Sequence, residues 1–147
     1  MESRFQPLLG EPALASPDAS ADNATRSIQH QEGLAMSTLS DKRCVPCEGG
    51  IPALGAEAAR VQMKAIAAEW RLADDARSLS RAFKFVDFYR TMSFVNALAH
   101  IANIEDHHPD LEVGYNYCRV RYSTHSVNGL SDNDFICAAK IDQLALK

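Results

Sequence analysis

The sequence predicts an α+β domain in which an antiparallel sheet carries helices on one face. Three features of this 147-residue chain lead to that prediction. Segments of helical periodicity and segments of strand periodicity follow in the order helix, strand, strand, helix, strand or strands, helix. Ten of the eleven aromatic residues lie between Trp70 and Phe135. The composition, 46% hydrophobic and 23% charged, is that of an ordinary globular domain.

The first predicted elements are a helix and a β-hairpin. Four apolar residues of the segment 55–68 recur three or four positions apart and are predicted to form the buried face of a helix: Ala58, Val61, Ala65 and Ala68. A short strand at residues 70–72 and a second strand at residues 79–85 flank a polar turn at Asp74-Asp75. Two strands joined by so short a connection are expected to pair in antiparallel fashion.

The longest predicted helix begins at Asp87 and ends near Asp106 or His107. Its broad apolar face is predicted to consist of Phe88, Met92, Val95, Ala99 and Ala102, flanked by Phe94, Leu98 and Ile101. Pro109 cannot continue a helix and disfavours helical geometry in the residue before it. His100 falls inside this helix and is predicted to be partly buried.

A long strand over residues 113–124 and a final helix complete the prediction. The two faces of the strand are predicted to carry Cys118, Val120 and Tyr122 on one side and Tyr117, Arg119 and Arg121 on the other. Ser131 is a suitable N-cap, with Asp134 at the third helical position. The apolar positions of the final helix are Phe135, Ala138, Ile141 and Ala145.

The chain is predicted to consist of a disordered leader, residues 1–40, and one folded domain, residues 41–147. The leader is rich in Ala, Ser, Pro, Asp and Asn, so it buries too little apolar surface to offset the entropy of ordering it. It has neither the apolar stretch of a secretory signal nor the composition of a transit peptide. The alternative is that Met36 is the true first residue of the protein. In either case no catalytic or binding residue is expected in the leader.

Composition and charge exclude several classes of protein. No apolar run approaches the roughly 18 residues that a membrane-spanning helix needs. The formal net charge of −4 argues against a domain held to nucleic acid mainly by phosphate contacts. Four cysteines are too few for a disulfide scaffold, so a reducing cytoplasm is the expected location. The chain contains no G-x-G-x-x-G, P-loop or G-x-S-x-G motif, so nucleotide binding and serine hydrolysis have no support.

Cys44-Val-Pro-Cys47 resembles half of a zinc ribbon or a redox pair. A four-ligand ribbon needs a second C-x-x-C motif, and Cys118 and Cys137 are not arranged that way. A thioredoxin-like pair would lie between a strand and a helix, whereas this motif follows the leader. An N-terminal loop without assigned chemistry is the simpler interpretation.

Three of the five histidines bracket the last predicted strand. His107 and His108 lie at the end of the long helix, and His125 follows the strand. The helix C-terminus and the carboxylates of Glu105 and Asp106 favour protonated imidazole. Because imidazole exchanges protons near neutral pH, the three histidines predict an acid and a base in one site. One alternative is that His107 and His108 form a polar end to the helix and that His125 is a solvent-facing loop residue. The other is a metal site, although the chain lacks the H-E-x-x-H spacing.

The histidine motifs resemble those of the pterin-4a-carbinolamine dehydratases, and of the bacterial branch in particular. The motifs are Glu105-Asp-His-His-Pro109, Tyr115-Asn116 and Ser123-Thr124-His125. The family pattern is His-His-Pro followed by a strand that ends in Thr-His, and His125 follows His107 by the required 18 positions. The similarity covers residues 42–145, from the Cys-Val-Pro-Cys-Glu-Gly-Gly opening to the final helix.

The resemblance implies a fold and a reaction. The fold is four antiparallel strands with three helices on one face. The reaction is loss of water from 4a-hydroxytetrahydropterin, which gives the quinonoid dihydropterin and recycles the cofactor of aromatic amino acid hydroxylases without a metal or organic cofactor. Three residues are implied to be catalytic: His107, His108 and His125. The same three are implied to bind the pterin ring together with Asp106, Ser123, Thr124 and Ser126.

Asn103 and Asp134 occupy two further positions of the family pattern. Asn103 stands where some members have Glu, and Glu105, about 200° round the helix, cannot simply replace it. Asp134 matches a family aspartate, but its helix-capping position is a sufficient explanation for it.

Expected partners are the pterin substrate and further copies of the chain. The apolar surface of the long helix is larger than one small sheet can cover, so a homodimer or homotetramer is predicted. No contact with a membrane and no direct binding of nucleic acid are expected. The alternative functions are a non-catalytic pterin-binding or protein-dimerisation (coactivator) module, and a role in molybdopterin metabolism with a related pterin.

Overall fold

The computed structural model describes residues 38–46 and 50–145. Its α-helices are α1 (Ala56–Gln62), α2 (Phe88–Glu105) and α3 (Asp132–Ala145). Its strands are β1 (Arg71–Leu72), β2 (Leu79–Lys84), β3 (Asp110–Val113) and β4 (Tyr117–Tyr122), which form one antiparallel sheet in the order β1-β2-β4-β3. Short 3-10 helices occupy Leu39–Asp41, Met63–Ala65 and His125–Val127. The predicted α+β class, with four strands and three helices, is confirmed.

The two central strands present their apolar residues to the helices. Every second side chain of β2 and β4 points into the core, and the side chains between them are mostly exposed. The principal residues of that core are Leu79, Phe83, Cys118, Val120 and Tyr122 from the sheet, and Phe94, Leu98, Phe135, Ala138 and Ile141 from the helices. The two faces predicted for the residues of β4 are therefore confirmed.

The prediction of a single long strand over residues 113–124 is wrong. The chain forms β3, turns at residues 114–116 and returns as β4, so that Val113 lies opposite Cys118. A Cβ at Gly114 would overlap the ring of Tyr117, which explains why glycine occupies this turn. The first part of the predicted strand thus belongs to a hairpin.

The first helix is shorter than predicted and buries a different face. The α-helical part ends at Gln62, and the chain is extended again at Ile66. The four residues of the predicted face are exposed, and Ala59 is the buried residue. Alanines occur on several sides of this helix, so their spacing does not determine its orientation. The larger side chains of Met63 and Ile66 pack against the core instead.

The long helix begins and ends as predicted but is rotated about its axis. The Asp87 carboxylate accepts a hydrogen bond from the backbone N–H of Arg90 at 2.8 Å, which caps the helix. The buried stripe consists of Thr91, Phe94, Leu98, Ala102 and Glu105. Phe88, placed by the prediction on the central face, is 47% exposed, and His100 is exposed rather than partly buried. Apolar residues lie nearly all round α2, so their periodicity did not select one face.

The predicted leader lies outside the described residues except for its last three. Thr38 caps the 3-10 helix Leu39–Asp41, and Leu39 packs against the core. Across residues 38–46 and 50–145, no helix combines the length and the apolar character needed to span a membrane.

Deleting residues 1–35 is expected to change the melting temperature by no more than a few degrees. These residues lack the side chains that would add to a core, so their loss removes little buried surface. Thermal unfolding of the full and the shortened chain, followed by circular dichroism, measures the difference. A larger fall in melting temperature would show that the leader packs on the domain.

Candidate active site

The candidate site begins where α2 ends. Asp106 adopts a left-handed conformation with φ of 48°, and the backbone N–H groups of Asp106 and His107 both donate to the carbonyl of Ala102. Aspartate tolerates this conformation better than most residues. The reversal of the chain carries His107 inward, where it is 5% exposed, and leaves His108 at the surface.

The second part of the site is the loop that follows β4. The backbone N–H of Thr124 donates to the carbonyl of Gly129 at 2.7 Å, and a longer return bond of 3.3 Å closes the loop. Asn128 takes the left-handed conformation that ends the intervening 3-10 turn. His125 therefore leaves the sheet at the start of a tightly closed loop, with its side chain exposed.

Asp134, in the first turn of α3, joins the two parts. Its Oδ1 lies 2.8 Å from Nε2 of His107, while its Oδ2 accepts hydrogen bonds from Thr124 Oγ1 and from the backbone N–H of Ser131, both at 2.7 Å. Asp134 has no exposed surface. Because both oxygens are engaged in a buried setting, the carboxylate is held in one orientation.

The ring of Tyr122 supports His107 from one side. The two rings are nearly parallel, with 5.6 Å between centroids and 8° between planes. Burial, together with the neighbouring Cys137 thiol, raises the pKa of Tyr122, so its hydroxyl stays protonated at neutral pH. His107 is thus held between a neutral aromatic face and a carboxylate.

The residues predicted to bind the substrate line one cavity of about 210 Å³. They are Asp106, His107, His108, Ser123, Thr124, His125 and Ser126. The structure therefore brings the three predicted catalytic histidines together from the end of α2 and from the loop after β4. The Thr124 hydroxyl is already engaged with Asp134, so this residue also supports the carboxylate.

Asn103 and Glu105 have different surroundings. The amide Oδ1 of Asn103 lies 3.4 Å from Nε2 of His108, at the exposed side of the site. Glu105 is buried and its carboxylate lies 3.1 Å from Nζ of Lys140, away from the cavity. Asn103 is therefore the polar side chain that contacts His108, and Glu105 serves the packing of α2 against α3.

The contact between Asp134 and His107 could not be predicted from the sequence. The spacing of Asp134 from Ser131 indicates a helix cap, and Oδ2 does accept the Ser131 N–H. The other oxygen contacts His107, which lies 27 residues earlier in the chain. No local pattern reports such a contact, because it depends on how α2 and α3 pack.

No cluster of three or more potential metal ligands occurs among residues 38–46 and 50–145. Cys44 Sγ lies 3.6 Å from Cys137 Sγ, and Cys47 lies outside the described residues. The hydrogen bond with Cys137 and burial raise the pKa of the Cys44 thiol. Such a thiol is a weaker nucleophile than a free cysteine.

Acid is expected to remove the stabilising contribution of Glu105. Burial by itself raises the pKa of Glu105, but the Cys44 N–H, the Lys140 ammonium and the Arg43 charge outweigh it and hold that pKa below its usual range. A lowered folded-state pKa stabilises the fold above the unfolded-state pKa, and this contribution is lost as pH falls through the folded-state pKa. Urea unfolding between about pH 6 and about pH 3 should show the difference between wild type and Glu105→Gln shrinking. A difference independent of pH would contradict this account.

Known proteins match both the sequence and the fold. Residues 52–144 match the model of the family described as pterin 4 alpha carbinolamine dehydratase. A protein of Legionella pneumophila (strain Corby), provisionally named pterin-4-alpha-carbinolamine dehydratase, is 57% identical over 108 residues, which cover 74% of this chain and 96% of that protein. A protein of Nitrosomonas eutropha with the same provisional name is 54% identical over 108 residues, covering 74% of this chain and 94% of that protein.

A solved structure agrees with these relatives. The crystal structure of a transcriptional coactivator/pterin dehydratase from Brucella melitensis superimposes with a TM-score of 0.61 and 31% sequence identity, covering 64% of this chain and 99% of that chain. The matched region contains the sheet, the helices and the histidine motifs described above. A family match over most of the domain, with relatives of this similarity, shows that the chain belongs to the pterin-4a-carbinolamine dehydratase family.

Proposed function

We propose that this chain catalyses the dehydration of 4a-hydroxytetrahydropterin to the quinonoid dihydropterin. The observation that carries the proposal is a single cavity lined by three imidazoles, one of them bound to a buried carboxylate. The reaction breaks the C4a–O bond and forms a C4a=N5 double bond. The leaving hydroxyl gains a proton and departs as water, and N5 loses a proton. Imidazoles can perform both transfers near neutral pH.

His107 is the proposed base that takes the N5 proton. The Asp134 carboxylate fixes the orientation of its ring and stabilises the positive charge that the ring gains. His125, exposed at the cavity, is the proposed acid for the leaving hydroxyl, and His108 is proposed mainly to bind the pterin. Exchange of protons with solvent then returns both histidines to their starting states. This mechanism uses no metal or organic cofactor.

The polar groups around the cavity suit a flat ring rich in hydrogen-bonding groups. The proposed pterin contacts beyond the histidines come from Asp106, Ser123, Thr124 and Ser126. The carboxylate of Asp106 is an acceptor suited to the ring N–H groups, and the serine hydroxyls can donate or accept. In this proposal the enzyme works in the cytoplasm on the product of aromatic amino acid hydroxylases.

Stopped-flow absorbance with chemically prepared 4a-hydroxytetrahydropterin tests the proposed reaction. We expect the protein to accelerate the dehydration over the spontaneous rate, with saturation as substrate increases. Absence of acceleration would favour a second candidate, a non-catalytic pterin-binding or protein-dimerisation module. That candidate is suggested by the Brucella melitensis protein, which is described as both a transcriptional coactivator and a pterin dehydratase.

We predict a homodimer or homotetramer in solution. Phe88 and Ile104 on α2 are about half exposed, at 47% and 52%, and Leu111 and Val113 of the edge strand β3 are also exposed. Exposed apolar side chains along an edge strand are typical of contacts between copies. Light scattering at micromolar concentration measures the mass of the assembly. A mass equal to the monomer would contradict the prediction.

A further inference from the structure

The N-terminal segment of the domain contacts the end of α2, which His107 follows, and the start of α3, which carries Asp134. Three consecutive residues, Arg43, Cys44 and Val45, make these contacts and are called the clamp below. The backbone N–H of Cys44 donates to Glu105 Oε2 at 2.8 Å, and Arg43 Nη1 lies 3.3 Å from Glu105 Oε1. Glu105 is the last residue of α2 and precedes His107 by two positions. The clamp therefore holds the end of α2 from which His107 extends.

The clamp holds the start of α3 through Asn133. The backbone N–H of Val45 donates to Asn133 Oδ1 at 3.0 Å, and Asn133 Nδ2 donates to the carbonyl of Val45 at 2.8 Å. Both polar backbone groups of Val45 are thus satisfied by one amide, as they would be in a strand pair. Asn133 is 1% exposed and immediately precedes Asp134. The orientation of Asp134 is therefore coupled to the clamp by a single peptide unit.

The polar groups involved are costly to bury, which makes their arrangement specific. The side chain of Glu105 is 3% exposed and is paired with Lys140 as well as with the clamp. A buried carboxylate is tolerated only when hydrogen bonds and an opposite charge compensate its desolvation. Such groups fix one geometry, because small displacements leave an unsatisfied charge. The interface between α2 and α3 is thus held rigidly at the point where His107 contacts Asp134.

We propose that Glu105 and Asn133 are positioning residues, which act through the clamp to set the geometry between His107 and Asp134. Neither side chain lines the cavity, so neither is a catalytic residue. The kinetic part of this inference rests on the proposed function. A misplacement of about 1 Å of a catalytic group can cost about 100-fold in rate, so a loosened clamp should lower turnover without changing the cavity lining.

Glu105→Gln and Asn133→Ala in the full chain are the test variants. We expect kcat for dehydration to fall about 10-fold in each, while KM stays within about 2-fold, because the pterin contacts are retained. Asn133→Ser is a second variant in case the alanine variant folds poorly. Its single hydroxyl replaces the two polar groups of the amide and adds no buried charge, so a fall in kcat no larger than that of Asn133→Ala is expected.

Asp142→Asn is the matched control. Asp142 also lies on α3 and accepts hydrogen bonds from the backbone N–H of Ala67 and from Trp70 Nε1, both at 2.8 Å, besides pairing with Arg81. It therefore ties another earlier segment to α3, but eight positions beyond Asp134. We expect a comparable fall in melting temperature and an unchanged kcat. An equal loss of kcat in Asp142→Asn would assign the effect to general destabilisation and overturn the proposal.

Imidazole ¹H–¹⁵N spectra give a second readout that does not depend on activity. The His107 Nε2–H resonance should be protected by Asp134 in the wild type and in Asp142→Asn, and should be lost to solvent exchange in Glu105→Gln and Asn133→Ala. If the wild type fails to accelerate dehydration, the proposed function fails and this resonance still tests the clamp. If both test variants keep the wild-type resonance and kcat, the clamp proposal is overturned while the proposed function stands.

Discussion

Replacing His107 or His125 with alanine is expected to lower enzymatic dehydration of 4a-hydroxytetrahydropterin by about 10²–10⁴-fold. A positioned acid or base is worth that much, and among the residues that the structure describes His108 is the one other histidine that lines the cavity. His108→Ala is expected mainly to raise KM. Stopped-flow absorbance measures all three rates. Spontaneous dehydration of the substrate sets a floor and compresses the range that can be observed.

His100→Ala is the control for these substitutions. His100 is exposed on α2 and does not line the cavity, so this variant should keep the wild-type rate. The His107→Ala/His125→Ala double variant should lose much less than the product of the single losses, because both residues act on one transition state. All variants should give the circular dichroism spectrum of the wild type. Full activity in both single variants would show that these histidines are structural and that the catalytic assignment is wrong.

The sheet was predictable where side chains alternate clearly, and the helix faces were not. Leu79 and Phe83 in β2 alternate with exposed residues, and the same holds for Val120 and Tyr122 in β4, so period-two patterning specified which side is buried. In α2, by contrast, apolar residues lie on both the buried stripe and the exposed side. Burial of Thr91 on that stripe follows from tertiary packing, which periodicity does not encode.

The histidines of the candidate site were predictable because their spacing can be read directly from the sequence. His107 follows a helix end that Pro109 makes predictable, and His125 follows the end of a clear strand. The contacts that orient them depend instead on elements far apart in sequence. The Asp134 carboxylate contacts His107 across the interface between α2 and α3, and the Glu105 carboxylate contacts the backbone of Cys44, which lies 61 residues earlier. Such contacts exist only once the helices are packed.

Asp134→Asn is expected to leave the domain folded and to lower kcat by about 10²–10⁴-fold with little change in KM. The amide is nearly isosteric with the carboxylate but offers one acceptor instead of two. Its oxygen should take the position that accepts from Thr124 Oγ1 and from the Ser131 N–H, because two donors meet there. The amide N–H then faces His107 Nε2, so that nitrogen must become an acceptor and the ring must change tautomer.

The matched control for this substitution is Asp132→Asn, in the same turn of α3 but exposed. It should keep the wild-type kcat, and its free energy of unfolding should change by less than about 0.5 kcal/mol. Asp134→Asn should lose about 1–3 kcal/mol in urea unfolding, since the hydrogen bond between His107 and a carboxylate is replaced by a weaker one between neutral groups. Asp134→Ala removes the acceptor for three buried groups and should cost more, about 3–5 kcal/mol. Full turnover in Asp134→Asn would mean that Asp134 serves only as the cap of α3 and that His107 needs no carboxylate to exchange its proton.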